Sequence, residues 1–536
     1  QILPKLRGLQ GMAADGTTNG TSNTKFLVDG PIVVKDVFDG AVWKTILIGS
    51  LGWGGKGFYM MDISDELNPK FMAAVENDDK NNRVLYWDYG GMRSVHKYGT
   101  GSATMSAAAS LFPYQYLGYT WSKPSIALLP YGQQHRNPKS LQRYALVFGA
   151  GYAGGLATKQ GNYVIVANAT KTSQSASGIA APDGHRYPGP SYQPFSALAW
   201  SEVPKDPSSD ANQGVTAAMS IITPDKMSAT ESDYYGGIAY FPDLHGQLWK
   251  LNLSRKTLPP SAMTYEHYQN LRAHDSREST VITAVDGFAS GDNTMHHLNK
   301  MWRSETTVAN DRYGSHQVAS TLINNASGKN VYHFFGTGDQ SHIQTRYSTI
   351  DNWVIGAKDI DFPDTTLALT GTDKTKSSPG IFRRELTPSG TTCSSTDVPG
   401  WYAKLSDRYS AVIPARVTGR IMIKDSDLYV PIYTPENTTC PAYGTAEIKV
   451  MKNGCGGSVS GILAGTGLST SVVADADGNL YIGLSNKGDD DDDSTLGGAA
   501  KRVDNIVKIG EASGSTPSAS SATPGIRIKS WRELFN

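Results

Sequence analysis

The stretch that decides the fold is Ile238–Leu253, IAYFPDLHGQLWKLNL. Ile238 to Phe241 is apolar and rich in β-formers, Asp243-Leu244-His245-Gly246 supplies turn residues, and Trp249, Leu251 and Leu253 recur at period two. The spacing predicts a strand, a tight turn and a second strand. Relatives of this pattern appear in both directions along the chain: LIGSLGWGGKGFYMMDIS at 47–64, VFGAGYAGGLATKQGNYVIVANA at 147–169, VYHFFGTGDQSHI at 331–343 and DADGNLYIGLS at 475–485. Each couples an apolar strand to a glycine-rich turn, and loosely spaced units of that kind predict radial repetition of β-sheets. The fold expected is all-β, a modified β-propeller of about seven blades with long loop insertions.

Composition agrees with this reading. The 536 residues include 56 glycines and only 18% charged residues, as many tight turns between short strands require. Lys plus Arg equals Asp plus Glu at 49 each, so no net field favours nucleic acid or an anionic membrane. No apolar run approaches the roughly 20 residues needed to span a bilayer. The first residue is Gln, with no charged-then-apolar leader, so a signal peptide is expected to have been removed or to lie outside this stretch.

Units are expected near 26–76, 114–171, 215–255, 300–350, 351–386, 400–450 and 466–512, forming one domain over 26–536 after a Gly-, Thr- and Asn-rich lead-in at 1–25. Polar insertions at 78–110, 172–212, 256–298, 387–398 and 487–500 read as surface loops. The best helical candidate is 256–275, and the chain closes on IRIKSWRELF, a last strand with an aromatic, charged tail.

Several segments together resemble the C-terminal domain of the PilC/PilY family of type IV pilus biogenesis factors and adhesins. They are FLVDGPIVVKDV (26–37), WKTILIGSLGWGGKGFYMMDISDELNPK (43–70), LGYTWSKPSIALL (117–129), ALVFGAGYAGG (145–155), YFPDLHGQLWKLNLS (240–254), VYHFFGTGDQSH (331–342), GWYAKL (400–405) and SWREL (530–534). The resemblance implies a modified propeller, secretion, and residence at the pilus tip with outer-membrane association in a Gram-negative bacterium. It further implies promotion of pilus assembly, opposition to retraction, and binding to a host-cell or abiotic surface receptor. Minor pilins are the implied partners. An N-terminal adhesive region usual in the family is not evident, so the chain is expected to be the C-terminal portion of a longer protein.

Calcium is the implied cofactor to test. The family is similar to a DxDxNxxxD loop ahead of the YxGDxxGxLW signature, but TPDKMSATESDYYGG at 223–237 has Gly237 at its last acidic position. Asp225, Glu231 and Asp233 do not restore the alternation, so no calcium is expected there. Asp475, Asp477 and Asn479, with the Tyr481 carbonyl, offer oxygens at positions 1, 3, 5 and 7, which suits a hard cation. Leu480 stands where an EF-hand has glycine and Asn486 where it has a bidentate acid, so an ordinary Asp-Gly-Asn turn accounts for the same residues. Asp489–Asp493 reads as a solvated, self-repelling loop. His296, His297, His316, His333 and His342 lack metal-ligand spacing.

Three cysteines occur, Cys393, Cys440 and Cys455. Cys440 and Cys455 bracket a short segment that suits a disulfide-closed hairpin, whereas Cys393 is open as the partner of either. No GxSxG, P-loop or HExxH motif is present. A quinoprotein dehydrogenase shares propeller strands of this flavour, but the vicinal cysteines typical of those enzymes are missing. A lectin-like module remains a further alternative, with Trp53 in LGWGGKG or Tyr152 in GAGYAGG stacking on a sugar.

Overall fold

The computed structural model describes residues 28–39, 42–88, 91–97, 109–130, 142–153, 160–170, 193–203, 214–222, 226–228, 231–233, 237–253, 298–302, 312–325, 328–340, 343, 352–359, 387–388, 400–405, 415–436, 444–476, 478–485, 500–503 and 505–509. The stretch Ile238–Leu253 folds as read. Ile238–Pro242 and Leu248–Asn252 are antiparallel strands, with Phe241 opposite Trp249 and Ala239 opposite Leu251. All five residues of the first strand are buried, so both of its faces meet neighbouring sheets.

Six sheets of four or more strands are laid out in chain order. The first runs from Ile32–Phe38 through Trp43–Ser50, Gly57–Asp62 and Lys70–Asp78 to Arg83–Asp88 and Gly91–Lys97. The second joins Ser125–Pro130, Gln142–Gly149, Tyr163–Asn168 and Ala197–Glu202, and the third flanks the central hairpin with Ser220–Ile222 and Leu298–Trp302. The fourth holds Ala319–Asn325, Gly328–Gly336, Trp353–Asp359 and Gly400–Lys404, with the short parallel strand Thr387–Pro388 at its edge. Asp427–Thr434, Thr445–Lys452 and Ser458–Thr466 form the body of the fifth sheet, and Leu480–Gly483 and Ile506–Ile509 that of the sixth.

Each sheet buries apolar side chains against the next. Ile48, Phe58 and Met60 pack with Phe148 and Ile165 between the first two sheets, and Val147 and Val164 with Phe241 and Trp249 between the second and third. Tyr240 and Leu248 meet Phe335 and Ile355 between the third and fourth. Phe334 and Trp401 meet Val430 and Ile432 between the fourth and fifth, and Ile448 and Val450 meet Ile482 and Val507 between the last two. Face-to-face stacking of successive antiparallel sheets is the radial packing of a propeller. Among the described residues no such core joins the sixth sheet to the first, and eight of the large apolar side chains most open to solvent, including Ile32, Val34, Phe38 and Trp43, lie on or beside that first sheet.

Two expectations are corrected. The segments 300–350 and 351–386 are not separate units, because Gly328–Gly336 pairs directly with Trp353–Asp359 (Phe334 opposite Gly356) and so joins them in one sheet. The insertions read as loops also supply strands: Arg83–Asp88 and Gly91–Lys97 extend the first sheet, and Ala197–Glu202 closes the second. Outer strands carry a weaker apolar alternation because only part of their surface meets a neighbour, so composition alone reads them as loop. The lead-in 1–25, the helical candidate 256–275 and the terminal IRIKSWRELF lie outside the described residues.

Candidate functional site

The second strand of a sheet ends in a glycine-rich turn that crosses to the next sheet. Gly52 bridges Thr120 and Gly151 bridges Val215. The Leu51 N–H donates to the Thr120 hydroxyl (3.0 Å), which itself donates to the Gly57 carbonyl (2.8 Å). At Gly151 φ is +91° and a side chain would strike the Tyr119 carbonyl, so the crossing needs glycine.

This close approach collects four aromatic side chains from separate turns. Trp53 lies 5.2 Å from Tyr119, 5.8 Å from Trp121 and 5.5 Å from Tyr152 between ring centroids, the last two edge-to-face. All four are half-buried. The Lys56 ammonium stands 5.5 Å over the Tyr119 ring while donating to Asp79 (2.5 Å) and Gln160 (2.7 Å). Burial, and then the Asp339 carboxylate in the matching turn of the fourth sheet, push the Tyr152 phenol up from its ordinary value. Trp53 and Tyr152, singled out in the sequence a hundred residues apart, thus meet. Tyr119 and Trp121 were missed; the aromatic pair flanking Thr120 was their signal.

The candidate cation ligands also come together, in a different role. Asp475 accepts from the Asn479 N–H (2.8 Å) through Oδ1, and from the Asn479 amide (2.8 Å) and the Tyr481 hydroxyl (3.0 Å) through Oδ2. Gly478, at φ +81°, donates to the Asp475 carbonyl, and Asp475 N–H to that of Asn479. Asn479 therefore turns its donor toward the carboxylate, and Tyr481 contributes its hydroxyl. The carboxylate is thus engaged within its own turn by three donors. Asp477 lies outside the described residues, and among these no group of three or more His, Cys, Asp or Glu is placed to hold a metal.

The same turn occurs at Asp243. Its carboxylate accepts from the His245 and Gln247 N–H groups, the Gln247 amide (2.9 Å) and the Trp249 indole (2.8 Å), and Gly246 has φ +65°. DLHGQLW and DADGNLY are one device: Asp, Gly three residues on, an amide at four and an aromatic donor at six. No cation is called for in the first, where Leu244 and His245 occupy the intervening places.

A serine and a histidine approach each other between the third and fourth sheets, Ser320 Oγ to His333 Nδ1 at 2.9 Å. The nearby Asp359 is held by Lys250 (2.7 Å) and Tyr240 (2.8 Å), and the histidine ring stacks on Tyr240 at 3.8 Å. Both members of the ion pair and His333 are fully buried, which denies a substrate any approach. Burial holds His333 near a pKa of about 3, so it stays neutral. The arrangement is packing between sheets. Cys455 is disulfide-bonded, while Cys393 and Cys440 lie outside the described residues.

A family model described as the PilY1 beta-propeller domain matches residues 5–162. That span holds the first sheet, the Trp53 turn, LGYTWSK and the Tyr152 turn. The type IV pilus biogenesis factor PilY1 of Pseudomonas aeruginosa (strain UCBPP-PA14) is 30% identical over 151 residues, 28% of this chain and 9% of that protein. Over this N-terminal stretch the chain is similar to the PilY1 family. A PilY1 homologue of Xylella fastidiosa is 25% identical to this chain over 236 residues, 43% of the chain and 11% of the homologue. The matched regions thus span about a tenth of the length of these curated relatives. The crystal structure of the P. aeruginosa PilY1 C-terminal domain aligns with 86% of this chain and 82% of its own, at TM-score 0.48 and 16% identity.

Proposed function

We propose that this chain is the propeller portion of a type IV pilus biogenesis factor that acts outside the cell, at the pilus tip and in association with the outer membrane. There it promotes pilus assembly, opposes retraction and binds a host-cell or abiotic surface through its loops. The observation that carries the reading is the PilY1 propeller match over 5–162, the stretch whose turns build the Trp53, Tyr119, Trp121 and Tyr152 cluster. The disulfide at Cys455 supports an oxidising compartment. Among the described residues no helix is long and apolar enough to cross a membrane. Minor pilins are the proposed partners. A pilin strand pairing with Ile32–Phe38, the outermost strand of the first sheet among the described residues, where Ile32, Val34 and Phe38 are exposed, would be β-augmentation.

The test is genetic. A strain lacking the propeller should lose most surface pili and twitching motility, and full piliation would overturn the reading. Trp53→Ala with Trp121→Ala should keep the pili and lose surface attachment. A second reading, a carbohydrate-binding module, is favoured by the same four aromatics, because half-exposed rings beside polar side chains stack on sugar faces. Binding on a glycan array that disappears in Trp53→Ala at unchanged melting temperature supports it; no glycan above background removes it. Turnover of an alcohol by the purified chain loaded with pyrroloquinoline quinone would instead revive the dehydrogenase alternative.

A further inference from the structure

We propose, on the carbohydrate-binding reading of the same rings, that the cluster around Trp53 takes an uncharged hexose and discriminates against acidic and basic sugars. Trp53 stacks face to face on none of its three neighbours, the interplanar angles being 56° to Tyr119, 74° to Trp121 and 81° to Tyr152. With all four side chains half-buried, ring face is left for a ligand. The faces of a hexopyranose consist largely of C–H bonds and suit an aromatic face, while its hydroxyls stay at the rim. The backbone beneath the rings is braced in advance. Tyr119 and Tyr152 exchange two hydrogen bonds (2.6 and 2.9 Å), the Gly54 N–H donates to the Leu51 carbonyl (2.8 Å), and a side chain at Gly118 would collide with the Tyr152 carbonyl. Rings fixed before binding lose little freedom when a ligand arrives.

The charges beside the rings select the sugar class. Lys56 is matched by Asp79 (2.5 Å) and Gln160 (2.7 Å). Arg416 is buried and donates to the Ile343 carbonyl (3.0 Å); burial lowers its guanidinium from the ordinary value, and the Asp339 carboxylate opposes that. Asp29, whose Oδ1 accepts from the Gly54 N–H (3.1 Å), and Lys123, two residues past Trp121, are exposed and of opposite sign. Among these groups positive and negative charges balance. A charged sugar brought against the rings would shed hydration with no counter-charge in surplus, whereas an uncharged one needs only partners for its hydroxyls. Two such partners flank Trp53. The Asp29 carboxylate lies against Gly52 and Gly54 and has lone pairs beyond the one given to Gly54. The Tyr152 phenol, pushed up by burial and then by Asp339, keeps its proton and donates it.

The test is a glycan array carrying galactose- and glucose-terminated oligosaccharides, the same structures capped with sialic or glucuronic acid, and chitosan oligomers, probed with the full chain. Uncapped glycans should bind, free lactose should compete, and capped or amino glycans should bind about tenfold more weakly or worse. Raising salt from about 50 to 500 mM should change little. Trp53→Ala should weaken binding about tenfold or more, and Tyr152→Phe, which keeps the ring, several-fold, at unchanged melting temperature. Lys123→Glu should bind as the unaltered chain does. Equal or preferential binding of capped or amino glycans, loss of binding at high salt, or an altered preference in Lys123→Glu overturns the uncharged-sugar assignment and leaves carbohydrate binding itself in place. Undiminished binding by Tyr152→Phe, which decides the matter alone if Trp53→Ala does not fold, moves the sugar away from this cluster and overturns the assignment as well. No glycan of any class above background overturns both.

Discussion

The turns at Asp243 and Asp475 share three hydrogen bonds, to which Asp243 adds a fourth from the His245 N–H, and they have unequal surroundings. Asp243 is wholly buried at the end of a hairpin that packs on sheets to both sides, and its partner Trp249 fills the core against Val147 and Val164. Asp475 is half-buried in the last described sheet, where its partner Tyr481 is half-exposed and the neighbouring Val473 is open to water. A carboxylate that satisfies donors in the interior is indispensable, because removing it strands those donors without water. The same carboxylate near the surface can be replaced by solvent. Similar local chemistry is thus worth different amounts at different depths.

The largest expected effect comes from removing the two carboxylates. Asp243→Ala orphans four buried donors and should lower stability by about 4–6 kcal/mol, whereas Asp475→Ala should cost about 1–2 kcal/mol, read from urea midpoints. Equal losses would break the comparison. Acid should discriminate next. Burial pushes His316 down to about 4 and His333 down to about 3, with the Lys250 charge lowering His333 further and Asp359 opposing it. Unfolded histidine protonates near pH 6.5, so the unfolded chain takes up protons first. Stability should be full above that pH and fall towards pH 4, approaching about 1.4 kcal/mol per pH unit for each histidine. Hydrogen exchange at pH 5 should open the third and fourth sheets, with His333→Asn flattening the dependence; a flat profile in the unaltered protein would contradict the burial.

The turn glycines give a smaller contrast. In Gly246→Ala the new methyl meets the Arg312 carbonyl at 2.5 Å as well as adopting φ +65°, for a loss of about 2–3 kcal/mol. Gly478→Ala has open space, the nearest atom being Lys424 Nζ at 3.9 Å, and should cost about 1 kcal/mol from φ alone. The smallest expected effect is none: millimolar calcium should not shift the melting temperature, because the Asp475 turn is complete without an ion. A calcium-dependent shift abolished by Asp475→Ala would reinstate a cation there and separate the two turns in kind.

Much of this was legible in the chain. The hairpin at 238–253 and the strands beside GWGGKG and GAGYAGG follow from apolar alternation and glycine placement. The join of Gly328–Gly336 to Trp353–Asp359 was not legible, since pairing partners across an interruption leave no periodic trace. Nor was the choice at Asp475. Acids at alternate positions suit a cation and a turn equally, and the sequence does not show that the Asn479 amide and the Tyr481 hydroxyl both donate to Asp475. Trp53 and Tyr152 were legible singly, and their meeting was not.

By itself the sequence determined the local pattern: β-strands of limited length, turns with glycine at the left-handed position, a net charge of zero, and a run of motifs similar to those of the PilC/PilY family. Tertiary structure alone decided which aromatic turns share a surface and how deep each aspartate lies. Periodicity and turn chemistry act over a few residues, whereas proximity and burial depend on how sheets separated by a hundred residues are stacked.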